Sequence, residues 1–71
     1  LNNDEKAALL ERAACLLRAD PDPTVDRASD LLLADQLVKV AKELRAGLPV
    51  PGIDRTVILT ELLVLAMEAS R

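Results

Sequence analysis

The chain has 71 residues, with 9 Lys+Arg against 12 Asp+Glu for a net charge of -3, no His, no aromatic residue and one Cys. One Cys excludes an internal disulfide, the absence of His and of a Cys cluster excludes a structural zinc site, and with no His the usual proton shuttle near neutral pH is missing. A pI of 4.7 with no aromatic stacking platform disfavours nucleic acid, and the apolar residues come in segments far short of the ~20 uninterrupted positions of a membrane span.

These exclusions leave a soluble, cytoplasmic, non-enzymatic protein as the expectation, with no catalytic residue, cofactor, metal or small-molecule substrate. At this length residues 1–71 form a single domain. A domain so small buries only about 60% of its unfolded surface, so without a disulfide or metal the natural source of further burial is another chain.

The first predicted helix spans about residues 3–20. Asn2 and Glu5 form an Asn-x-x-Glu pattern similar to a capping box, and the helix formers that follow run to the stop at Asp20-Pro21-Asp22-Pro23. At about 100° per residue, Ala7, Leu9, Leu10, Ala13, Ala14, Leu16 and Leu17 share one half of this helix, with Glu11, Arg12 and Arg18 opposite. Cys15 falls on the polar side, where it reads as a small surface residue; a reactive thiol would need a lowered pKa.

The second predicted helix spans about residues 23–46, capped by Asp22 with Pro23 in its first turn. Leu31, Leu33, Ala34, Leu37, Val38, Val40, Ala41 and Leu44 cover an apolar arc, Asp35, Gln36, Lys39, Lys42 and Glu43 fill the other side, and Leu32 is a misfit on the polar face. Gly47 is placed as a left-handed C-terminal cap.

The third predicted helix spans about residues 54–70, after a turn stiffened by Pro49 and Pro51, with Asp54 as its cap and Ile53 and Ile58 as a hydrophobic staple. Ile58, Leu59, Leu62, Leu63, Leu65, Ala66 and Met67 sweep half its circumference or more, while Val57 and Val64 sit beside Glu61 on the remainder. So wide an apolar arc calls for partners on two sides, and a second copy of the chain is the expected source of the missing surface. Glu61 and Glu68 share a face, but no third ligand joins them, and they read as solvated charges bordering an interface.

The passage Glu43-Leu44-Arg45, then eight residues, then Asp54-Arg55-Thr56-Val57-Ile58-Leu59, with Leu62 and Ala66-Met67-Glu68 beyond, resembles the head-to-stalk joint of the ZapA cell-division accessory family. The resemblance covers about residues 34–68. It implies a homodimer or tetramer built on the third helix that binds the tubulin-like division protein FtsZ, with Arg45, Arg55 and Lys42 at the positions of the partner-binding charges. The chain departs from that family in having a helix where the family has a hairpin, and in stopping at Arg71 without the family's long coiled coil.

Two other readings compete. Residues 37–45 and the helix opened by Asp54-Arg55-Thr56 could be the helices of a dimeric ribbon-helix-helix repressor or antitoxin, provided that residues 28–33 form the strand that reads DNA. The start at Leu1 and the short helices with an apolar excess also suit a helical docking domain excised from a larger multienzyme protein. The leading expectation is an all-α, three-helix domain that oligomerises through its C-terminal helix, with Ile58, Leu59, Leu62, Leu63, Val64, Leu65 and Met67 as interface contacts.

Overall fold

The computed structural model describes residues 2–19 and 27–69 and contains three helices, α1 (Asn3–Ala19), α2 (Arg27–Arg45) and α3 (Ile53–Ala69). The chain is all-α, with no strand among the described residues. The proposed cap at Asp22 and Pro23, and the stop at residues 20–23, lie outside the described residues.

Local chemistry accounts for the helix ends. At the start of α1 the Asn2 Oδ1 accepts a hydrogen bond from the Glu5 N–H at 2.8 Å, which satisfies one of the amides that a helix N-terminus leaves without a partner. At the end of α2 the Gly47 N–H donates to the Leu44 carbonyl at 3.1 Å and the Leu48 N–H to the Glu43 carbonyl at 3.0 Å, with Gly47 at φ 77°. This pair of bonds around a left-handed residue is a Schellman motif. A Cβ built on Gly47 meets nothing within 4 Å. Gly47→Ala is therefore expected to cost about 1–2 kcal/mol through backbone conformation alone, read as a lower midpoint in urea with an unchanged slope.

The start of α3 differs from the expectation. The helix already includes Ile53, and the Thr56 N–H bonds to the carbonyl of Gly52, which at φ 72° stands in the cap position. Asp54 is thus inside the first turn, where its charge suits the helix dipole, and it is not the cap. Nor does the staple form: Ile53 packs against the core while Ile58 stays exposed.

Tertiary packing centres on α1. Its buried residues Ala7, Leu10, Ala13, Ala14 and Leu17 meet Ala34, Leu37, Ala41 and Leu44 of α2 and Val64 of α3 in one cluster. α1 packs against both other helices, whereas α2 and α3 nowhere bring their Cα atoms within 8 Å of each other. The ion pairs show the directions. Arg18 of α1 meets Asp35 of α2 at 2.7 Å and Glu11 meets Arg45, so α1 and α2 run antiparallel. Lys6 meets Asp54 at 3.4 Å and Arg12 meets Glu68, so α3 runs in the same sense as α1.

The alanines explain why α1 is central. Ala7 and Ala14 on α1, like Ala34 and Ala41 on α2, are spaced by seven residues and almost wholly buried, so each pair recurs on one helix face and lets the backbones approach closely. α3 presents Val57, Thr60 and Val64 as its buried residues and lies on the other flank of α1. The result is an open, elongated body of 37 × 22 × 16 Å with an uncovered side between α2 and α3.

Candidate functional site

Helix α3 has two faces, and which of them turns inward is the reverse of part of the sequence reading. Val57 and Val64, expected on the side away from the apolar arc, are the residues that seat α3 on its own chain, together with Thr60. Thr60 is buried at low cost because its hydroxyl donates to the Thr56 carbonyl at 2.7 Å. Val64, 5% exposed, is already covered within the chain and is not available as an interface contact. Leu63 and Met67 are half-buried and pack against the same cluster.

On the opposite face Ile58, Leu59 and Leu62 are each 58% exposed and Leu65 62%. Ala66 and Ala69 are exposed beside them. At about 100° per residue these six positions fall within a strip roughly 120° wide, centred on Leu62 and pointing away from the Val57–Thr60–Val64 face. Scattered surface leucines are ordinary, but four large aliphatic side chains in one strip of a 17-residue helix form a contiguous patch of the kind that marks an interaction surface.

The strip has two unlike edges. One carries Asp54, Glu61 and Glu68, of which Asp54 and Glu68 are engaged by Lys6 and Arg12 of α1, while Glu61 is exposed. The other descends into the opening between α2 and α3, a groove of about 220 Å³ lined by Leu33 and Leu37 of α2 and Thr56, Leu59, Thr60 and Leu63 of α3. No charged side chain lines it. A groove without a convergent polar group has nothing to orient a reacting molecule, but it suits an aliphatic side chain or a helix flank.

The charged candidates are placed differently from one another. Lys42 and Arg55 are exposed, and among the described residues neither makes an ion pair, whereas Arg45 is held by Glu11 across the α1–α2 interface. All three lie toward the end of the body where α2 passes into α3. Cys15 is free and exposed on α1. Among the described residues no group of three His, Cys, Asp or Glu side chains is placed to hold a metal ion, and no helix is long and apolar enough to cross a membrane.

The comparisons decide nothing further. No family model, curated protein or solved structure matches the chain. Function therefore rests on the geometry, which also bears on the ribbon-helix-helix reading: residues 28–33, which that reading needs as a strand, are the opening turns of α2.

Sequence reasoning identified an apolar excess on the third helix but missed the inward face and the groove. Signals for both were present. Thr56 and Thr60 stand one turn apart and can bond back to the helix backbone, and the seven-residue alanine spacing on the first two helices points to a close α1–α2 pair with α3 on the outside.

Proposed function

We propose that the protein is a non-enzymatic interaction module that associates with a second copy of itself through the outer face of α3. The observation that carries this reading is the strip of Ile58, Leu59, Leu62 and Leu65, each more than half exposed and gathered on one face of α3. Covering one such leucine is worth about 1.5–3 kcal/mol when complete, and a module of this size has a total stability of only about 4–11 kcal/mol. Self-association would thus add a sizeable share of the folding free energy.

The groove supports the same reading. Because α2 and α3 stand apart, an α3 helix laid along the strip meets Leu59 and, beside it, the groove-lining Leu33 and Leu63, so the surface is broader than a single helix stripe.

The test is solution mass by light scattering over a hundredfold range of concentration, for the native chain and for Leu62→Glu. The native chain is expected as a dimer that dissociates on dilution. Leu62→Glu, with a charge at the centre of the strip and no buried neighbour disturbed, is expected to be monomeric with an unchanged helical circular dichroism spectrum. A native chain that stays monomeric throughout overturns the proposal.

A further inference from the structure

We infer that α3 is a hinged arm, which in the folded protein opens away from α1 as a unit and closes again while the α1–α2 pair stays formed. The buried cluster shows how little of the core α3 supplies. Val64 is its one member there, and every other member among the described residues belongs to α1 or α2. Val57 and Thr60, the other buried residues of α3, lie outside that cluster, and Leu63 and Met67 add only half-buried contact. Opening thus takes one buried residue out of the cluster, whereas separating α1 from α2 dismantles it.

The two ion pairs that tie α3 to α1 hold it weakly. Asp54, the partner of Lys6, has a side chain 89% exposed, and Arg12, the partner of Glu68, one 62% exposed, so water and salt screen both. The helix itself also leans on its seat. α3 carries six β-branched residues, Ile53, Thr56, Val57, Ile58, Thr60 and Val64, against Val38 and Val40 in α2 and none in α1. Such side chains lose rotamer freedom in a helix. Thr56 and Thr60 also donate their hydroxyls to the carbonyls four residues back, those of Gly52 and Thr56, which slightly weakens a helix. A helix of 17 residues is marginal on its own in water, so once off α1 it unwinds and its amides exchange with solvent.

The connection from α2 to α3 has a joint at each end. Gly47 at φ 77° and Gly52 at φ 72° flank Pro49 and Pro51, and a Cβ built on either glycine meets nothing within 4 Å. Glycine rotates through conformations closed to other residues, so a stiff link swings on two free joints, the arrangement of a hinge. Opening bares the side of α1 on which α3 sits. Anything that binds there meets only the open fraction of molecules, and its affinity is lowered by that fraction. The movement concerns the inner face of α3 and stands whether or not the outer face pairs with a second copy.

Hydrogen exchange read amide by amide tests the hinge, on the native chain at a concentration where light scattering shows a single copy, or on Leu62→Glu if the native chain stays paired. The slowest amides within residues 57–66, clear of the fraying ends of α3, are expected to exchange about tenfold faster or more than the slowest of α1 and α2. Equal slowest rates in all three helices mean that α3 opens only when the whole protein unfolds, and overturn the inference. Ala41→Gly, made in the same background, supplies the second arm, since Ala41 is 1% exposed in the cluster and does not line the groove beside α3. A glycine there favours unfolding of the α1–α2 pair by a factor of about 5. It leaves the opening of α3 unchanged, because the closed and open forms both contain that pair and lose equally. The slowest amides of α1 and α2 are therefore expected to exchange about fivefold faster, and those of α3 at less than about twice their rate without the substitution. If α3 accelerates by the same factor as the other two helices, it unfolds with them and is not an arm.

Discussion

Leu10→Ala is expected to lower the free energy of unfolding by about 2–5 kcal/mol, the range for removing a buried leucine side chain from a packed interior. Among the described residues Leu10 is the largest side chain with no exposed surface, and it stands on α1, which packs against both other helices. Much of the surrounding cluster is alanine on closely packed helices, so few long side chains are at hand to swing into the space that the substitution leaves. The cost should therefore fall in the upper part of the range. Against a total of about 4–11 kcal/mol for a chain of this length, such a loss removes a large share of the stability. Urea titration followed by circular dichroism, in dilute solution, measures it; a change below about 1 kcal/mol would mean that α1 is not the centre of the fold.

How far this architecture was legible in the sequence differs from helix to helix, for physical reasons. In α1 and α2, charged residues alternate with apolar ones at helical spacing, and Leu10, Leu17, Leu37 and Leu44 are buried as their periodicity predicts, whereas Leu31 and Leu33, on the same predicted arc of α2, stay 40% and 41% exposed. Gly47 could be read because a helix end needs a residue that adopts positive φ without strain. In α3 the pattern fails. Nearly every position from Val57 to Met67 is apolar, so periodicity cannot choose an inward side, and the chain resolves the ambiguity through shape. The smaller Val57, Thr60 and Val64 fit against α1, and the bulkier Ile58, Leu59, Leu62 and Leu65 are left outside. The start of α3 was misread for a related reason: Asp54 looks like a cap by residue type, but Gly52 at positive φ already turns the chain into the helix one residue earlier. The exposed strip was therefore legible as an excess of apolar residues, while its membership depended on packing that no single helix encodes.

Val64→Asp is expected to be the most damaging single substitution in α3, and its contrast with Leu62→Glu tests the two-faced reading of that helix. Val64 is 5% exposed and joins the same cluster as Leu10 and Leu44. A carboxylate there loses the burial of the valine, worth about 1.5–3 kcal/mol when complete. It also meets an apolar surround, where a buried charge that finds no partner costs several kcal/mol more. Together these approach the whole stability of the protein, and the least costly escape is for α3 to leave its seat on α1. No Cα of α2 comes within 8 Å of α3, so α1 supplies most of the surface on which α3 is seated. The expected result is loss of the cooperative thermal transition, with reduced helical signal even at low temperature. Leu62 lies only two residues away but on the opposite face, 58% exposed, so Leu62→Glu in dilute solution should melt within a few degrees of the native monomer. Its effect should instead appear at high concentration: under the proposed self-association the native chain should gain thermal stability with concentration, and the variant should show none of that gain. If Leu62→Glu melts as poorly as Val64→Asp in dilute solution, the face assigned to the interface is instead part of the core, and the site proposed on α3 fails with it.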